Sequence, residues 1–317
     1  MTAVPGREWR SEQLVEVNQG AALSRGLGRS YGDSSLPSTP DCRVVGTALA
    51  DRLLHFDPRD GRLRAEAGLS LRSLNQIFLS RGWFPPVTPG TQDVTLGGMV
   101  ASDVHGKNHH RAGCIGAHVQ ALLMRVPDGR VMEVSRTRES ELFFATLGGM
   151  GLTGHILEVE LLLESIPSPL IQRRSERFDS LDPLLDALGE AGKSWPFTVA
   201  WVDSLAGDEA LGRGVLYCGR WATTDEAVPR APRSRGALRV PFRMPSGLLN
   251  RTSIALFNAL IYRGHGSKVK QGLVDQVVKQ GLVVRAVQEY RVVRVAQEYR
   301  VVRVAQEYRV VQAVPLE

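Results

Sequence analysis

The side chains best suited to chemistry crowd into residues 87–119, VTPGTQDVTLGGMVASDVHGKNHHRAGCIGAHV. His105, His109 and His110 stand close together there, with Asp103 just before them. The spacing of His105 and His109 imitates the zinc motif H-E-x-x-H, but Gly106 occupies the place of the Glu, and the neighbouring glycines oppose a helix. No metal site is expected. A histidine that touches a ligand and a histidine held in a structural hydrogen bond both remain open. Asp103 could act with Asp33 as an acid–base pair, although Asp in a Gly/Ser turn more commonly binds backbone. The chain contains no G-x-S-x-G elbow and no identifiable Cys/His pair, so covalent hydrolase chemistry has little support. Six glycines in the stretch (Gly90, Gly97, Gly98, Gly106, Gly113 and Gly116) would let backbone approach a bulky anion and offer it N–H donors, or would simply make a complicated turn.

The elements that must position these residues follow from turn and periodicity signals. Residues 11–18 read as a short helix capped by Ser11, and residues 21–24 as a brief strand. The run that follows, Arg25-Gly26-Leu27-Gly28-Arg29-Ser30-Tyr31-Gly32-Asp33, resembles a dinucleotide fingerprint with its third Gly one place late. It leads into Ser34-Ser35-Leu36-Pro37, which cannot open a βαβ helix, so a Rossmann reading fails. Residues 53–57 and 62–67 flank Pro58-Arg59-Asp60-Gly61 as a hairpin. Ser70 caps a helix with Leu71, Leu74, Ile77 and Phe78 on one face, closed by Gly82. Residues 95–103 form a short helix whose first turn holds Gly97 and Gly98, a seat for pyrophosphate if its N–H groups are free. A second hairpin (residues 121–126 and 130–134), a helix at 139–147 and a strand at 155–163 complete an α+β domain. Three glycine-rich loops, residues 25–33, 89–106 and 148–154, are more than a mononucleotide needs. They suggest a long cofactor with a central pyrophosphate, and composition does not choose between FAD and others of that shape.

With 317 residues, 43% apolar and 23% charged, the chain is long enough for one large or two ordinary globular domains. The net charge of +6 is carried by Arg residues that read as scattered, which argues against a nucleic-acid partner. Three widely spaced cysteines form no C-x-x-C pair, no signal-peptide core is visible, and no apolar run is long enough to span a membrane. A reducing, cytoplasmic setting is the expectation.

Pro167 to Pro169 marks a boundary. Beyond it come a helix at 181–188, strands at 197–202 and 214–218, a Pro/Arg linker at 227–236 and a helix at 250–262. The end of the chain is different in kind: VVRVAQEYR occurs at 292–300 and again at 301–309, with VVRAVQEYR at 283–291. A nine-residue step turns a helix face by about 180°, so no single packing face persists, and a duplicated stretch of coding sequence is the preferred explanation.

SRGLGRSYGDSS, PGTQDVTLGGMVASDVHGKNHH and LFFATLGGMGLTGHI together resemble the FAD-binding domain (PCMH type) of the vanillyl-alcohol-oxidase flavoproteins, and within them the decaprenylphosphoryl-ribose 2-oxidase branch. The resemblance implies an α+β fold with a two-subdomain FAD-binding domain (residues 1–167) and a truncated α+β substrate or cap domain (168–269); the repeat tail (270–317) is expected to be helical from its Ala, Gln, Glu and Arg content. By the same resemblance Ser24, Arg25, Gly26, Leu27, Gly28, Arg29, Ser30, Tyr31, Gly32, Asp33 and Ser34 wrap the pyrophosphate, and Gly90 with Thr95, Leu96, Gly97 and Gly98 completes the cradle. Ser102, Asp103, Val104 and His105 lie along the flavin, and Ile156 presents backbone to it. Many relatives tether flavin through a His in the first loop; here that place reads Arg29-Ser30-Tyr31, which implies non-covalent FAD. His105 and Tyr31 are the catalytic candidates beside a small-molecule or lipid-linked sugar whose hydroxyl is oxidised, with a partner reductase and a membrane-peripheral location as further implications. An alditol or aldonolactone oxidase, and a non-catalytic flavin-binding remnant, are the alternatives. The family's C-terminal segment contributes a Lys and a Tyr to the active site, and the repeat tail stands in its place.

Overall fold

The computed structural model describes residues 7–226, apart from 11, 21, 22, 38 and 40, and residues 250–273, apart from 266 and 267. Strand β1 (Arg7–Arg10), helix α1 (Leu14–Val17), β2 (Leu23–Arg25) and β3 (Arg43–Gly46) make the first unit, a parallel sheet in the order β1-β3-β2. Helix α1 is shorter than the expected 11–18, and the side chain at its cap position, Gln13, does not cap it. Ser11, expected to cap it, lies outside the described residues.

The second unit is an antiparallel sheet. Strands β4 (Leu53–Asp57) and β5 (Arg62–Glu66) form the expected hairpin. Its turn is closed by side chains: Asp57 accepts from the Arg59 backbone N–H at 2.9 Å and Asp60 from that of Arg62 at 3.0 Å. Helix α2 (Leu71–Phe78) begins where the Ser70 hydroxyl accepts from the Ser73 N–H at 3.0 Å, and Gly82, at φ 77°, ends the turn that follows it. After β6 (Trp83–Phe84) come α3 (Leu96–Ala101), α4 (His109–Ala112), β7 (Val119–Arg125), β8 (Val131–Ser135), α5 (Ser140–Thr146) and β9 (His155–Leu162). The sheet order is β4-β5-β9-β7-β8. Alternate residues of β9 and β7 point into one core with Leu63, Leu71, Leu74, Met99 and Phe143, all fully buried.

Strand β10 (Glu164–Ser165) returns to pair with β6, and the chain then builds a second antiparallel sheet from β11 (Leu170–Phe178), α6 (Leu181–Ser194), β12 (Phe197–Val202), β13 (Gly214–Trp221), α7 (Arg251–Gly264) and β14 (Lys268–Leu273). Its order is β12-β13-β11-β14. Helix α6 runs six residues past the expected end at 188, through Gly189 and Gly192. Each interior Gly costs about 1 kcal/mol, and packing of Leu184, Ala187, Leu188 and Ala191 on β12 and β13 outweighs that. The linker expected at 227–236 lies outside the described residues. The tail was expected to be helical from 270, yet residues 270–273 are strand, paired with β11 from Leu170↔Leu273 to Arg173↔Lys270. An open edge of β11 offers four backbone partners, which the local helix preference of a short segment cannot match. The rest of the tail lies outside the described residues.

The two sheets meet through aromatics. Phe84 lies edge-on to Trp221 at 5.2 Å, and Phe197 lies edge-on to the same ring system at 5.7 Å. Ile166 and Ile171 complete this small cluster.

Candidate functional site

The three glycine-rich loops come together at one end of the first two sheets. Strand β2 delivers the first, and Thr47 donates its N–H to Arg25 at 2.9 Å where the loop leaves the sheet. Gly26 then passes directly over Thr95: a Cβ on Gly26 would stand 2.4 Å from the Thr95 hydroxyl, so only glycine permits the approach. Gly28 adopts φ 63°, and the Arg25 guanidinium lies against it. The loop is exposed, and among the described residues no backbone hydrogen bond engages the N–H groups of Leu27, Gly28, Arg29, Ser30 or Gly32. Such a row of unclaimed donors with a guanidinium at its base is the chemistry that receives a diphosphate.

Helix α3 carries the second loop. The Thr95 hydroxyl accepts from the Gly98 N–H at 3.2 Å, a helix cap of ordinary kind. The expectation that this bare first turn offers its own N–H groups to pyrophosphate is overturned. Leu96 donates to the Leu69 carbonyl at 2.9 Å and Gly97 to that of Ala67 at 2.8 Å. These bonds fasten α3 to the segment between β5 and α2, and they use up the donors. The role left for the turn is steric, with Gly98 exposed on the side next to Thr95. Gly106 repeats the pattern further on: a Cβ there would lie 3.0 Å from the Thr88 carbonyl, so the 105–108 corner folds close against the strand-like run after β6. The residues present therefore fit an extended, diphosphate-bearing group.

The third loop closes on the second. Gly148 donates to Val100 at 3.0 Å and Met150 to Ala101 at 2.8 Å, which seats residues 148–150 on the end of α3. It also reaches the first: the Ser24 hydroxyl and the His155 ring nitrogen Nδ1 are 2.7 Å apart, across 131 residues of chain. His155, almost wholly buried, was not singled out in the sequence; a lone His opening a strand carries no signal of its long-range partner. Its neighbour Ile156 is buried on β9, opposite Met124.

Asp103 does not pair with Asp33. It sits at φ 37° with its carboxylate accepting the Gly116 N–H at 2.8 Å, the backbone-bound alternative. Its closeness, after burial, also pushes the Cys114 thiol above its ordinary range. Val104 is held by Ile115 donating to its carbonyl at 2.9 Å, and Ser102 stays exposed beside it. His105 and Tyr31 are both exposed, and the ring of His105 stands edge-on to His109 at 5.6 Å. His109 and His110 open the short helix α4, which starts only after Gly106; residues 105–108 are not helical, so His105 and His109 do not share a helix face. His110 faces the other sheet, its Nε2 3.1 Å from the Trp195 carbonyl, and Arg111 donates to that of Lys193 at 2.6 Å.

Lys107 joins the same junction. Its carbonyl accepts from the Thr198 N–H on edge strand β12 at 3.0 Å, which binds the 105–111 segment to the edge of the second sheet. Burial, and then the charge of Arg173 on β11, push its ammonium below the ordinary lysine range. Arg173 in turn lies over the ring of Tyr217 at 5.5 Å. A cation that burial and a like charge both oppose is a candidate for the site. Lys107 lies within the quoted motif, but nothing in its spacing announces that the second sheet would close over it. Among the described residues no three His, Cys, Asp or Glu side chains gather as metal ligands.

Comparison with known proteins fits this geometry. Residues 13–135 match the FAD binding domain family, a span that holds the first two loops. The chain is 30% identical over 263 residues to decaprenylphosphoryl-β-D-ribose oxidase of Mycolicibacterium smegmatis, covering 80% of this chain and 57% of the relative. It is 29% identical over 194 residues to mouse (Mus musculus) L-gulonolactone oxidase, covering 56% of this chain and 42% of that one. Among solved structures, an alkyldihydroxyacetonephosphate synthase superimposes with a TM-score of 0.57 over 68% of this chain and 45% of that protein, at 15% identity, a likeness of fold. The chain spans about half the length of the curated relatives it matches. Residues 13–135 are thus an FAD binding domain, within which the first two loops lie, and FAD is the cofactor.

Proposed function

We propose that this protein is an FAD-dependent oxidoreductase that oxidises a hydroxyl of a sugar, free or lipid-linked, to a carbonyl. The observation that carries the reading is the convergence of the loops, above all Gly26 against Thr95 and Ser24 against His155. Relatives named as ribose and gulonolactone oxidases support the substrate class. When bound, FAD supplies the hydride acceptor. The chain's part is to bind, orient and move a proton. Residues 24–34, with Gly90, hold the diphosphate, Thr95 to Gly98 leave it room without donating to it, and Ser102 to His105 with the Ile156 backbone flank the ring system. No His occurs in residues 24–34, which favours non-covalent attachment. His105, with Tyr31 as the second candidate, takes the proton of the substrate hydroxyl as its carbon gives up hydride, so that C–H and O–H bonds break and a C=O bond forms. A second reading, oxidation at an aldonolactone, is favoured by the gulonolactone-oxidase likeness alone.

Anaerobic bleaching of the bound flavin by candidate sugars tests the proposal. With a reducing sugar found, His105→Ala is expected to slow bleaching by about 10²–10⁴-fold, the usual contribution of a positioned base, while FAD affinity changes little. Bleaching at the wild-type rate would remove His105 from the chemistry.

A further inference from the structure

The first residues of β9 break the alternation that the rest of the strand obeys. Val159 and Leu161 are buried in the core, while Glu158 and Glu160 turn outward and both meet Arg64. Carried back two residues at a time, that pattern would aim His155 into the core beside Leu157. The pairing with β7 prevents it. Leu123 lies opposite Glu158, but the next residue, Met124, lies opposite Ile156, so Leu157 has no counterpart on β7. Ile156 and Leu157 both enter the core, and His155 falls opposite Arg125. A bulge of this kind bends a strand and re-aims a side chain.

The face that His155 now shares with Arg125 carries the first unit. Arg125 donates to the Asn18 side chain at 2.6 Å, at the end of α1. His155 meets the Ser24 hydroxyl on β2 at 2.7 Å, and a hydroxyl and an imidazole nitrogen can bond with either one donating. With His155 only 9% exposed, water competes poorly for this bond. Its place in the chain gives it leverage. Ser24 stands just before the first glycine-rich loop, and His155 just after the third. The bond from the Thr47 N–H to Arg25 also holds the first loop, but it stays within the first unit and does not fix the loop against the antiparallel sheet.

We propose that His155 is a positioning residue for FAD: turned out of the core by the bulge in β9, it holds Ser24 and so sets the spacing between the first and third loops, and with it how long the cofactor stays bound. This rests on the three-loop cradle proposed above. It gives His155 no part in proton transfer.

Release of FAD from the full-length holoprotein, followed by recovery of flavin fluorescence on dilution, tests the assignment. Ser24→Ala and His155→Ala should each speed release about tenfold, the scale of one shielded hydrogen bond. The double variant should release at most about twofold faster than either single one, because both changes delete the same bond. His155→Asn should return release to within about threefold of wild type, since its amide can stand where Nδ1 stands. His155→Leu, close to Asn in shape but without a polar atom, should stay fast, which a purely space-filling role would not produce. Ser24 is a half-buried strand residue that loses one oxygen, so Ser24→Ala reads the bond even where His155→Ala unfolds the chain. Wild-type release in Ser24→Ala, multiplied effects in the double variant, or equal release from the Asn and Leu variants would overturn the proposal. Gly98→Trp separates it from the reading beneath it. Weakened FAD binding in Gly98→Trp with unchanged release in Ser24→Ala would sink the His155 role alone, and unchanged FAD binding in both would sink the cradle with it.

Discussion

Gly98→Trp is expected to lower FAD affinity by at least about 100-fold, or roughly 2.7 kcal/mol, while the protein stays folded. Gly98 lies in the first turn of α3, exposed, with the place of its absent Cβ 3.1 Å from the Thr95 hydroxyl. That hydroxyl is also the atom over which Gly26 passes. An indole at this point fills the space between the first loop and the helix, which is where the diphosphate must lie. It does so without touching the core, because Gly98 contributes no side chain to it and Trp is a better helix former than Gly. Flavin fluorescence quenching gives the affinity, and thermal unfolding without FAD confirms that the fold survives. Unchanged affinity would mean that the cradle lies elsewhere. Lost folding would mean that Gly98 is structural.

Gly68→Val is expected to cost about 3 kcal/mol of stability, at the upper end of overpacking effects. Gly68 sits between β5 and α2, and a Cβ there would meet the Thr47 carbonyl at 1.9 Å and that of Ala50 at 2.5 Å. Both contacts are backbone, so no rotamer change can relieve them. The position is where the parallel sheet, ending at Thr47, is pressed against the antiparallel sheet, and Gly68 donates its own N–H to Ala50 at 2.9 Å. Separating the two sheets would draw the first loop away from Thr95, so FAD affinity should fall together with the urea midpoint. A drop of less than about 1 kcal/mol would show that the two sheets can shift without penalty.

Most of the first domain was legible because its signals are local. Ser70 caps a helix as its type and position require, Pro58 to Gly61 turn a hairpin, and alternation marks β9. The glycine-rich loops were legible as loops. What the sequence withheld was the use of each donor. The N–H groups of Leu96 and Gly97 look free in a list of residue types, yet Leu69 and Ala67 claim them through contacts made only in three dimensions. His155 and Lys107 were missed for the same reason: each matters through a partner far along the chain, Ser24 for one and the second sheet for the other. Helix α6 and strand β14 depart from their local preferences because a sheet was there to receive them.

Hydrogen exchange on the full-length protein, with and without FAD, reads the central claim most directly, because it reports on backbone N–H groups segment by segment. FAD should slow exchange together in residues 25–34, 95–106 and 148–156, most strongly in the exposed donors from Leu27 to Gly32, and leave α6 and α7 unchanged. Protection confined to a single one of those segments, or spread to α6 instead, would contradict a shared grip by the three loops.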